Sequence, residues 1–295
     1  MAVLTIPALL FGLMACGVVV ALVMRRVPRQ PAAATGDIPR GVARRTAVLR
    51  WAGVTIGVIV GIIAARSGDL GMGLLMAAPL FGLCALIGVL TGELTVRPPR
   101  GPTRTAAVEV RRIRDYLPRH LSRVVAAGGG VLLVLVIATT SAGAPDDMGH
   151  PGRSLARQCT FDTFESDGPW PGLFYTGRLV AVVLVGLLMA YVAVRTIVRR
   201  PRPDGTSDLA VDDALRERAA RVVTGAVGVL IAIPLAGVSL TAAGGLLGIS
   251  CAPMWWTVMG WGLLALAPAS LAMVGWCVAA VLAPTDRTDL LARTR

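Results

Sequence analysis

Seven apolar stretches, each close to the about 20 residues that a helix needs to cross a bilayer, constrain this chain more than any other feature. They cover residues 3–24, 47–65, 70–92, 124–142, 176–194, 222–247 and 254–282. Lipid offers no water to bond a free N–H or C=O, so each stretch is expected to be helical. The expected fold is an all-α polytopic membrane protein, with residues 1–295 as a single membrane domain of seven transmembrane helices. Composition agrees, because 55% of the chain is hydrophobic and only 16% charged, well under the charged quarter of an ordinary soluble domain. The first stretch has no Arg before it and ends against Arg25 and Arg26. It reads as a retained span, not as a cleaved signal peptide.

Orientation follows from arginine. All 29 basic residues are Arg and none is Lys. Residues 25–50 carry seven, 93–123 eight, 195–221 seven and the C-terminal tail three, against four on the opposite side. The positive side of a membrane protein is cytoplasmic. The N-terminus is therefore expected outside, the C-terminus and loops 25–46, 93–123 and 195–221 inside, and 141–175 as one large external loop. A net charge of +12 would suggest nucleic acid for a soluble chain. Beside membrane spans it points instead to anionic lipid head groups at the Arg loops, and no nucleic acid is expected.

The cytoplasmic loops open alike, with Arg26-Val27-Pro28-Arg29, Arg97-Pro98-Pro99-Arg100 and Arg200-Pro201-Arg202-Pro203. A lone helix followed by three hairpins is one plan that would produce this. Ala106, Val110, Ile113 and Leu117 form a helical stripe opposite Arg111, Arg112 and Arg114, as in a helix lying on the inner leaflet. A second loop helix, from about Asp208 to Arg221, pairs Asp212 with Arg216 and Glu217 with Arg221 at i, i+4 and is expected to run into the sixth span. The segments Arg111-Arg112-Ile113-Arg114-Asp115-Tyr116-Leu117-Pro118-Arg119 and Asp212-Asp213-Ala214-Leu215-Arg216 resemble multi-pass membrane proteins of actinobacteria whose activity is uncharacterised. That resemblance implies a bacterial plasma (inner) membrane and no particular activity.

Several chemistries are excluded by residue type. Without lysine there is no retinal Schiff base, pyridoxal anchor or P-loop amine. Both histidines, His120 and His150, lie in loops, so paired intramembrane haem ligands are impossible. The centres of the spans hold no Asp, Glu, Arg or His, which argues against intramembrane proteolysis and weakens proton-coupled transport. No enzyme activity and no cofactor are expected.

What remains is packing and one loop. Gly53, Gly57 and Gly61 sit four apart, and Gly88 and Gly92 repeat the spacing, which lets helices approach closely. Pro79, Pro234 and Pro268 lie within spans and could kink them, as in transporters. Asp146, Asp147 and His150 are weak metal-ligand candidates. Phe161, Phe164, Trp170, Phe174 and Tyr175 are interleaved with acids in the large loop and could cover the helix mouths or dock a partner. Cys159 and Cys251 are the two cysteines outside spans, and the Arg count puts both on the oxidising side, so a disulfide between them is expected. The functional expectation is a non-enzymatic transport or permease-type component, with possible partner subunits. The alternative is a membrane-embedded signalling or regulatory interaction protein that senses or docks through the aromatic loop.

Overall fold

A computed structural model describes residues 40–67, 72–94, 116–161, 163–199 and 209–282. Among these, six long helices and one hairpin make up the architecture: α1 Arg40–Arg66, α2 Met72–Leu94, α3 Arg119–Ser141, β1 Leu155–Gln158, β2 Phe164–Asp167, α4 Leu173–Arg199, α5 Leu209–Gly248 and α6 Met254–Leu282. Five of the helices are long and apolar enough to cross a membrane, namely α1 and α3 to α6, and α2 contributes a shorter apolar stretch, Pro79–Gly92. The chain is thus a helical protein of membrane type. The expected first span, 3–24, and nearly all of the amphipathic stripe 106–117 lie outside the described residues.

The helix α5 is the hub, contacting α2, α3, α4 and α6, whereas α1 leans on α2. The reason lies in small residues facing large ones. Leu230 of α5 is wholly buried, and a Cβ on Gly82 of α2 would stand 3.1 Å from its Cα while one on Gly186 of α4 would collide with its side chain. A Cβ on Gly225 would likewise stand 2.9 Å from the Cys277 carbonyl of α6. The α1–α2 contact is closer still, since a Cβ on Gly53 would lie 2.6 Å from the Gly88 Cα and one on Gly57 3.0 Å from the Phe81 ring. Gly61 is looser, with its nearest neighbour at 3.4 Å. The glycine spacing does serve helix packing, most tightly at its Gly53 end.

Two expectations change. The helices α1 with α2, and α5 with α6, are tight pairs, but α3 packs mainly on α5, α4 packs on both α2 and α5, and the two pack little on each other. Three equivalent hairpins are therefore not what forms, because a folded insertion of some thirty residues separates α3 from α4. The loop helix before the sixth span is continuous with it, giving the 40 residues of α5, and Glu217 reaches Arg221 at 3.9 Å. Arg216, however, does not sit on a solvated face. It is 1% exposed, and its Nη1 donates to the Val198 carbonyl at 2.9 Å and the Ile197 carbonyl at 3.3 Å. Those oxygens belong to the last turn of α4, where helix carbonyls lack intrahelical partners and the dipole favours a cation.

Candidate functional site

The insertion between α3 and α4 folds into a small cap over one end of the bundle. Its first part is organised by Asp146. The Oδ1 atom accepts from the backbone N–H of His150 at 2.8 Å and of Met148 at 3.0 Å, and Oδ2 accepts from Arg153 at 3.2 Å. These bonds, led by that of the His150 N–H and joined by the Arg153 guanidinium, hold the Asp146 carboxyl below its ordinary range. The turn closes through Gly149 and Gly152, both at positive φ (80° and 72°), a conformation that suits glycine.

This explains the fate of the Asp146, Asp147 and His150 candidates. His150 Nδ1 lies 3.3 Å from Asp146 Oδ1, but the carboxylate is committed to the turn and Asp147 does not complete a set. Among the described residues, the one group of three ligand-type side chains whose ligating atoms fall within 4.8 Å of one another is Cys159, Glu165 and Cys251.

That group marks where the cap is fastened. The cysteine sulfurs lie at disulfide distance, with Cα atoms 5.7 Å apart across 92 residues of sequence, inside the range that bridges adopt. Beside them Glu165 accepts from the Ser250 hydroxyl at 2.6 Å and the Ser250 N–H at 2.8 Å, and these two bonds keep its carboxyl below the ordinary 4.5. Both contacts tie the hairpin to the turn joining α5 and α6.

The hairpin has two distinct faces because strand side chains alternate. Its register opposes Leu155 to Asp167 and Arg157 to Glu165 on one face, and Ala156 to Ser166 and Gln158 to Phe164 on the other. The first face looks inward. Leu155 is buried with Trp170, Ala242, Leu246 and Ile249, and the Arg157 guanidinium stands 5.3 Å from the Trp256 ring centre, a cation–π distance. The second face looks outward, and Phe164 on it is 69% exposed. Phe161, in the turn at the hairpin tip, is 100% exposed.

A third fastening is Trp170. It is 3% exposed, and its Nε1–H donates to the Thr139 carbonyl at the end of α3 at 2.7 Å. Its ring lies against α5, where a Cβ on Gly245 would come within 2.7 Å of it. Tyr175 is buried too. Phe174 meets it edge-on at 5.0 Å, with the Arg153 guanidinium 4.1 Å and that of Arg178 5.3 Å from the Phe174 ring centre.

The five aromatics expected to act together thus divide. Trp170, Phe174 and Tyr175 hold the cap to the helices, while Phe161 and Phe164 face away from it. Reading the loop as sequence did not separate them, since the alternation that does so needs the hairpin register. Glu165 stands in the sequence as one of the acids interleaved with these aromatics, but its partner Ser250 is 85 residues away, and the pairing of Arg153 with Asp146 is set by turn geometry. Comparison of the chain with protein-family models, with curated proteins and with solved structures finds no match.

Proposed function

We propose that this is a seven-span plasma-membrane protein, N-terminus outside, whose cap on the outer side docks a protein partner through Phe161 and Phe164. The Arg count of twenty-five against four supports the orientation. The observation that carries the docking reading is the exposure of two phenylalanines on a hairpin fastened by a disulfide, by Glu165 and by Trp170. A rigid element showing large apolar side chains loses little conformational entropy on binding. Each Phe that a partner buries contributes about 1.5–3 kcal/mol.

The permease reading has less to support it. In α5, the central helix, 89% of the most apolar stretch is buried; its own buried Val229, Ile231, Leu235 and Val238 are aliphatic, and of its buried hydroxyls Thr224 is turned back onto the Ala220 carbonyl, which leaves Ser239 as a lone hydroxyl. A solute path would need polar partners there.

The test places a photo-crosslinking phenylalanine analogue at Phe161 and Phe164 in living cells, with Asp147 as control. Protein adducts at the two hairpin positions but not at the control are expected. Adducts to lipid alone would make the hairpin a membrane-interface anchor and overturn the docking reading. Orientation is tested separately with Gly149→Cys and Arg104→Cys, of which only the first should react with an impermeant thiol reagent on whole cells.

A further inference from the structure

A cavity of about 150 Å³ opens between two pairs of helices, α1 with α2 and α5 with α6. Its walls include Val54, Phe81, Ala85, Ala226 and Val278, and at one end Arg50 and Trp51. The polarity is one-sided. Phe81 packs on Gly57, seven residues along α1 from Arg50, so the groove runs about 10 Å from its charged mouth to an apolar floor. Trp51 is 60% exposed beside the mouth, and Arg45 of α1 and Arg221 of α5, the latter paired with Glu217, stand five residues before the lining Arg50 and Ala226.

Water finds too few polar partners in such a space to fill it well. An amphiphile with a negative head matches it. The guanidinium carries five donors in a planar fork that fits a phosphate, and a Trp–Arg pair at the start of the apolar stretch Val48–Arg66 suits the level of lipid head groups. We infer that this groove is a binding site for an anionic phospholipid of the surrounding membrane, its phosphate at Arg50 and the upper part of one acyl chain along Val54, Ala85 and Phe81. The site is independent of the cap, on which the docking proposal rests.

The experiment uses the full chain purified in dodecyl maltoside, with retained phospholipid extracted and identified by mass spectrometry. Wild type should keep at least one phospholipid per chain, enriched in anionic species over the source membrane. Ala85→Phe, which fills the groove, should lose it. Wild type without retained phospholipid, or a folded Ala85→Phe with an unchanged complement, overturns the inference. A second measurement does not depend on that variant folding. Added phosphatidylglycerol should raise the melting temperature of wild type more than phosphatidylcholine does, and Arg50→Gln should abolish the difference. A difference that survives Arg50→Gln unchanged also overturns it.

Discussion

The contact between Trp170 and Gly245 permits a prediction whose sign changes with background. Gly245→Ala places a methyl 2.7 Å from the indole ring, closer than such atoms approach, so the ring or the helix must shift. Overpacking of this kind costs about 1–3 kcal/mol, offset by the about 1 kcal/mol that alanine gains over glycine inside a helix. The net expectation is a loss of about 0–2 kcal/mol. Trp170→Ala removes a 3% exposed ring, with an expected loss of about 3–5 kcal/mol. About 1 kcal/mol of that belongs to the hydrogen bond to the Thr139 carbonyl. In the Trp170→Ala background there is nothing for the new methyl to strike. Gly245→Ala should then stabilise, by up to about 1 kcal/mol, which makes the coupling in the double-mutant cycle about 1–3 kcal/mol. The assay is reversible unfolding in mixed micelles under non-reducing conditions, with amide exchange across Leu155–Asp167 to show that the effect is in the cap. If Gly245→Ala changes stability equally in both backgrounds, Trp170 does not pack on α5 as described.

Three further outcomes are expected. Unfolded without reductant, the chain should show three reactive thiols out of its five cysteines, and five would exclude the Cys159–Cys251 bridge. Gly53→Leu should destabilise the α1–α2 pair by about 1–3 kcal/mol, because the Gly88 backbone blocks the new side chain, whereas Gly61→Ala, whose methyl meets only ordinary contacts, should stabilise by up to about 1 kcal/mol; equal melting temperatures for wild type and Gly53→Leu would refute the close crossing. The depressed Glu165 carboxyl means that the folded cap binds a proton less readily than the unfolded chain does. Its contribution is therefore complete above the ordinary value of 4.5 and is lost as pH falls through the lower folded value. The protection of cap amides, taken relative to intrinsic exchange at each pH, should fall in acid, less so in Glu165→Gln, and an identical protection profile in that variant would refute the role given to Ser250.

Much of the frame was legible in order of residues alone. Long apolar runs can satisfy their backbone in lipid only as helices, and among the described residues a helix stands at each of the six runs they cover, five of these helices being long and apolar enough to cross a membrane. The glycines four apart in α1 announced a close crossing, and the pairing of Cys159 with Cys251 followed from where the arginines fall. Three things were decided by tertiary structure. Hydropathy does not say which helix is central, because lipid and protein core are equally apolar surroundings. The span in α5 has a mean hydropathy of 2.2 and that in α4 of 2.3, yet 89% of the one and 22% of the other is buried. Arg216 reads as a surface residue because its i, i+4 neighbour is acidic, and only the approach of the α4 terminus turns it inward to free carbonyls. In the cap, Phe164 and Trp170 are alike in sequence, both aromatic and both set among acids. The hairpin register points Phe164 outward and the Thr139 carbonyl draws Trp170 inward, and both depend on chain segments brought together only by folding.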